Sequence, residues 1–371
     1  MAKGALVDQY RLISSDSHVT MPDEAWQRYL DPEFRDKAPV VEETDEGVFR
    51  IFEGRRTPVN TLNNLAGKKP EEYTLNVRKL SEPRAGASDP VERLKDMDID
   101  GVDAEVLYVG GPLQTRDTAL RLNSVRGYNR WLSDFASHAP ERLLGMAAIP
   151  IDSPDVAVDE IRFASAQPGL AGGYIPLFPS EGDYGDAKWN AVWEAFLGTG
   201  LPIGLHVGGR RPGTPVADLY ESAPRFMTGL VMSKLTMAEA VSELIHGLVM
   251  QRYPGLTFIA VESQIGWISF FEYYSDHLWD KHRFWTKSEL KEPPSHYFRR
   301  QVVATFMEDP VGLRERHHIG IDNIMWASDY PHSETTWPNS KSLTDEWFTP
   351  YGDEDKRKIL WQNCARVFKL I

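Results

Sequence analysis

The chain has 371 residues, 42% of them hydrophobic, eleven tryptophans and a formal net charge of −13. That length suits one large domain or two ordinary ones, and α/β barrels alone often exceed about 250 residues. The acidic excess argues against nucleic acid or an anionic membrane as partner, and a lone cysteine, Cys364, excludes intrachain disulfides and thiolate metal clusters.

The opening stretch, "MAKGALVDQYRL", lacks the apolar core of a signal peptide. No later run approaches the roughly 20 apolar residues of a membrane span. A cytoplasmic protein is expected. "RLISSDSHV" (Arg11–Val19) reads as the first strand, and its end sets Asp16 and His18 two positions apart. Residues so spaced share one face of a strand. From Met21 to about Pro90 the chain is rich in proline, glycine and charge, with no clear period. This segment reads as a long insertion after the first strand, serving as a lid or a dimer arm.

Beyond it, seven more strand candidates follow: Asp103–Val109, Leu143–Pro150, Ala171–Leu177, Leu201–Gly208, Leu256–Ser263, Gln301–Phe306 and Asn323–Tyr330. Several are nearly continuous apolar runs, as parallel strands buried on both faces require. Helical patterns separate them, among them "DVAVDEIRFASA" and "SKLTMAEAVSELIHGLVMQRYPG", and "DEDKRKILWQNCARVFKL" follows the last. Strands alternating with helices in this way predict a TIM (β/α)8 barrel in which residues 1–371 form one domain.

In such a barrel the C-terminal ends of the strands build the active site. Here they carry Asp16 and His18 on the first strand, His206 on the fifth, Glu262 on the sixth, and Asp329 with His332 on the eighth. All would point into one mouth. Taken singly, Asp16 could be a turn residue and Asp329 a helix N-cap. Histidines 138, 277, 282, 296, 317 and 318 are read as structural or surface residues. Taken jointly, the carboxylates and imidazoles suit zinc, manganese or ferrous iron, at about 2.0–2.2 Å from each donor.

The "DSH" of the first strand, "GLHVG" of the fifth and "WASDYPH" of the eighth resemble the amidohydrolase-related family. That family includes aminocarboxymuconate semialdehyde decarboxylase and the resorcylate and carboxyvanillate decarboxylases. "YPGLTFIAVESQIGWI" and the C-terminal "WQNCARVFKL" extend the likeness almost end to end. The resemblance implies Asp16, His18, His206 and Asp329 as ligands of one divalent metal, zinc first, with manganese or iron as alternatives. It also implies a small-molecule substrate and a homodimer or higher homo-oligomer. The chain departs from the decarboxylases at strand six, where Glu262 stands in place of their catalytic histidine. Their carboxylate-binding arginine is also missing, and Tyr274 stands near its position. "GGYIPL" on the fourth strand offers no lysine to bridge two metals.

Two reactions follow. The first is hydrolysis of a small cyclic or aromatic amide, ester or lactone. Asp329 would be both ligand and proton acceptor, and Glu262 or His332 would orient water or protonate the leaving atom. The second is non-oxidative decarboxylation of an aromatic or unsaturated acid, with Glu262 as a proton donor to carbon. Hydration of an unsaturated acid is a third, and a catalytically dead scaffold would leave these charges buried at a high cost.

Overall fold

The structure, a computed structural model, describes residues 11–209, 211 and 222–371. After β1 (Ile13–Val19) come β2 (Val40–Thr44), β3 (Gly47–Phe52) and β4 (Arg55–Pro58). The remaining strands are β5 (Ala104–Val109), β6 (Leu143–Ala148), β7 (Leu170–Ile175), β8 (Ile203–His206), β9 (Phe258–Val261), β10 (Val302–Phe306) and β11 (Ile324–Trp326). Eight of these form one sheet in the order β1–β5–β6–β7–β8–β9–β10–β11, each neighbouring pair parallel. With helices between the strands, this is a TIM barrel. All eight expected strands are present, each shorter than its apolar run.

The helix boundaries follow local chemistry. Asp89 caps the helix Pro90–Asp100 by accepting from the amides of Val91 and Glu92, and Gly101 ends it at a φ of 74°. Ser153 does the same for Pro154–Ser165. The long helix expected from Ser233 begins earlier, at Ala223, and runs to His246.

Serine side chains join the seam between β1 and the end of β11. Ser15 Oγ donates to the carbonyl of Trp326 at 2.7 Å, and Ser14 Oγ accepts from the amide of Ser328 at 2.8 Å. Just above them, the amide of Asp329 donates to the carbonyl of Asp16 at 3.0 Å, and that of His18 to Tyr330 at 2.6 Å. The small residues of "ISSDSH" thus bring the two ends of the sheet close enough to set their acidic groups side by side.

Apolar side chains fill two regions. One lies between the sheet and its helices and includes Leu107, Trp193 and Phe258. The other fills the barrel interior with Val106, Tyr108, Met146, Ile259 and Met325. Trp361, Cys364 and Phe368 of the C-terminal segment join this interior group. Asn363 fixes that segment by donating to the carbonyls of Ile321 and Ile324. The last helix therefore closes the N-terminal end of the barrel, where the sequence suggested only one more member of the outer ring.

The insertion is more ordered than its composition suggests. β2, β3 and β4 form a three-stranded antiparallel sheet. Its strands are short and partly exposed, so no alternation of buried residues marks them. Hydrogen bonds tie the insertion to the loop after β11. The amides of Leu65 and Ala66 donate to the carbonyl of Pro331, and Tyr73 Oη donates to that of Ser333. No helix among the described residues is long and apolar enough to cross a membrane.

Candidate active site

The six site residues expected from the sequence come together at the C-terminal mouth of the barrel. Asp16 and His18 share a face, as their spacing requires, although the register slips between Ser14 and Ser17. His18 Nε2 lies 3.5 Å from Asp16 Oδ1, 3.2 Å from Asp329 Oδ1 and 4.0 Å from Glu262 Oε2. His206 Nε2 lies 3.7 Å from Asp16 Oδ1 and 3.5 Å from Glu262 Oε2. His332 Nδ1 lies 3.0 Å from Asp329 Oδ1.

Glu262 and Asp329 sit just beyond their strands, with φ of 56° and 52°. Left-handed backbone is uncommon for residues with a Cβ and tends to collect at functional sites. In both places the turn swings a carboxylate back over the mouth. The side chain of Asp329 turns its Oδ1 to the imidazoles of His18 and His332 rather than to a helix N-terminus.

Several buried atoms lack a partner within the protein. Both oxygens of Asp16, Oδ1 of Asp329 and Nε2 of His18 and His206 are buried without a hydrogen bond. Each such orphan costs about 1–3 kcal/mol, more when charged. His206 directs Nδ1–H to the carbonyl of Val207 at 3.0 Å, which leaves a lone pair on Nε2 facing the cluster. The donor atoms of Asp16, His18, His206 and Glu262 lie within 4.8 Å of one another, as do those of His18, Glu262, Asp329 and His332. Oxygen and imidazole donors at this spacing fit a divalent transition-metal ion.

The electrostatics agree with that fit. Burial, and then the neighbouring His332, holds His18 well below the usual imidazole range, so it stays neutral and able to donate a lone pair. Burial opposes a charge on His206, but Asp16 and then Glu262 outweigh it and push the ring up to about 9.

Surrounding groups fix the cluster. Arg93, wholly buried, donates Nε–H to Glu105 at 2.5 Å and Nη1–H to the carbonyl of His18 at 2.8 Å. Breaking a buried pair of that kind costs about 3–5 kcal/mol. The Tyr108 ring stands 5.3 Å from that of His206, its hydroxyl buried and without a partner. Beside it, a cavity of about 460 Å³ opens between the ends of β5, β6 and β7. Ile149, Tyr174, Pro176 and Phe178 line it, with the ion pair of Arg121 and Asp152. Tyr274 faces solvent and stacks on Phe270.

Lys234 carries no mark in the sequence. Its Nζ lies 2.6 Å from Glu262 Oε1 and 3.4 Å from Glu334 Oε2, and its side chain is only 16% exposed. A single lysine in an apolar helical stretch reads as a surface residue, and no local pattern reveals a partner 28 positions away.

Known proteins share this framework. The amidohydrolase family model matches residues 21–370. A gamma-resorcylate decarboxylase of Rhizobium radiobacter is 25% identical over 334 residues, covering 84% of this chain and 94% of that protein. An amidohydrolase of Mycobacterium avium subsp. paratuberculosis superposes with a TM-score of 0.74 at 19% identity, covering 97% of this chain and 99% of its own. A dihydroxybenzoic acid decarboxylase of Polaromonas sp., solved with manganese and the inhibitor 2-nitroresorcinol, gives 0.65 at 19% identity, covering 97% of each chain.

Proposed function

Because the chain belongs to the amidohydrolase family, we propose that it is a metal-dependent decarboxylase of aromatic carboxylic acids. The observation that carries this reading is the kinship with gamma-resorcylate decarboxylase across 84% of the chain. It supports loss of carbon dioxide better than the hydrolysis that the sequence put first.

Asp16, His18, His206 and Asp329 would hold one divalent ion in this reading. Manganese is the first candidate, since a structural neighbour contains it, and zinc or ferrous iron suits the same donors. A bound ion would supply positive charge to an anionic substrate. The cavity beside Tyr174 takes the apolar part of the ring. The insertion, bonded to the loop after β11, roofs the mouth.

The reaction breaks the bond between the ring carbon and the carboxylate. Carbon dioxide leaves, the electron pair stays on the ring carbon, and that carbon takes one proton. Two groups at the mouth, Glu262 and His332, have the chemistry to deliver it. His332 lies against both Asp329 and His18, which hold its ring in one orientation. General acids so placed contribute about 10²–10⁴-fold.

Turnover in heavy water tests this. The phenolic product should carry one deuterium at the carbon that lost its carboxylate. A product formed without deuterium there would rule out protonation by an exchangeable group of the site.

A further inference from the structure

We propose that Glu262 is itself a donor to the metal, and that Lys234 is the positioning residue that holds it there. The inference rests on the metal site assigned above and deepens it.

The two oxygens of Glu262 have separate neighbours. Oε2 turns inward, 3.5 Å from His206 Nε2 and 4.0 Å from His18 Nε2. Donors about 2.0–2.2 Å from one ion stand roughly 3–4 Å apart, so these separations are those of shared ligands. Glu262 is also common to both groups of four whose donor atoms lie within 4.8 Å of one another. The buried, unpartnered Nε2 atoms of His18 and His206 face the same point. Oε1 turns outward and receives the Lys234 ammonium at 2.6 Å.

The backbone of Glu262 is fixed as well. It leaves β9 with a φ of 56°, and its amide donates to Thr305 Oγ1 on β10 at 2.8 Å. Held at the amide by β10 and at Oε1 by Lys234, the side chain keeps Oε2 over the cluster. Lys234 itself is restrained. It projects from the helix Ala223–His246, is 16% exposed, and has Glu334 in the loop after β11 as a second partner at 3.4 Å. Lysine is seldom buried to this degree unless paired.

Carboxylate ligands are ordinarily hydrogen-bonded by an outer partner, and loss of that partner weakens metal affinity about 10–100-fold. Lys234 has the place and chemistry of such a partner. With Glu262 committed to the ion, the proton for the ring carbon comes from His332. If the pair were only a brace between helix and strand, metal affinity would not depend on it.

Titration of the full-length apoprotein with Mn²⁺, followed by the electron paramagnetic resonance of the free ion, separates these cases. Lys234→Met should weaken Mn²⁺ binding about 10–100-fold. Lys234→Arg should restore it to within about threefold, because it keeps a cation on the same carboxylate. Glu262→Gln, nearly isosteric, should weaken it at least about tenfold, and gives a second route if Lys234→Met does not fold by circular dichroism. Wild-type affinity in Glu262→Gln, or in folded Lys234→Met, overturns the inference. The readout does not depend on the reaction. The expected affinities in a protein that releases no carbon dioxide would sink the decarboxylase reading alone, and normal Mn²⁺ binding by Glu262→Gln in an active decarboxylase would sink this inference alone.

Discussion

The imidazole of His332 lies flat on that of His18, ring centroids 3.7 Å apart and planes 18° from parallel. One ring belongs to the proposed donor set and the other is the proposed proton donor to the ring carbon. Two stacked imidazoles disfavour simultaneous charging, and His332 contributes to keeping His18 neutral. Burial opposes a charge on His332, but Asp329, together with Glu262 and Asp16, outweighs it and shifts the ring upward.

Replacing His332 with Asn should therefore separate chemistry from metal binding. Turnover is expected to fall about 10²–10⁴-fold, with metal content measured by mass spectrometry unchanged. Near-normal turnover would remove His332 from the reaction.

Gly204 governs the floor of the site. A Cβ there would come within 2.9 Å of Tyr174 Cβ, 3.0 Å of Tyr108 Cε1 and 3.3 Å of Met146 Cε. The first of these belongs to a strand-borne Cβ, which cannot move aside easily. Gly204→Ala should lower stability by about 1–3 kcal/mol, the usual effect of overpacking, as read in a denaturant melt. It should also weaken substrate binding, since the displaced Tyr174 lines the adjoining cavity. An unchanged melt would mean that the rings have more room than the structure shows.

Asp100 predicts a pH dependence of stability away from the site. It ends the helix Pro90–Asp100, where a negative charge opposes the helix dipole. Burial pushes its carboxyl up to about 6, although Ser340 donates an amide and a hydroxyl to it. The folded value lies above the unfolded value of about 3.9, so the native state binds the proton more tightly. The resulting stabilisation is full below about pH 4 and is lost as pH rises through about 6. A shift of this size corresponds to about 2–3 kcal/mol. Asp100→Asn should gain stability relative to the wild type as pH rises, with the larger difference at pH 8 and the smaller at pH 4. Thermal melts at the two values check this, and a gap that shrinks with rising pH would contradict it.

Much of this was legible in the sequence because the barrel repeats one signal. Each parallel strand is an apolar run, and its end is where a polar residue becomes conspicuous. Asp16 and His18 stand out after Ile13 for that reason, as does Asp329 after Ile324–Trp326. The partners that complete the site lie on other elements and carry no such mark. Lys234 meets Glu262 only once the helix Ala223–His246 crosses the mouth. Tyr108 and Gly204 matter to each other across the barrel interior, which no local pattern records. β2–β4 escaped notice because short, partly exposed hairpin strands carry little hydrophobic alternation.

The central claim is loss of carbon dioxide from an aromatic acid, and one parallel assay addresses it. Manganese-loaded protein is incubated with gamma-resorcylate and other ortho-hydroxybenzoic acids, and separately with the matching amides and lactones. Carbon dioxide and hydrolysis products are followed together. The expected result is carbon dioxide with the corresponding phenol from at least one acid, and no hydrolysis of the amides or lactones. Hydrolysis of an amide or lactone, with no carbon dioxide from any acid, would contradict the decarboxylase reading and return the site to metal-dependent hydrolysis.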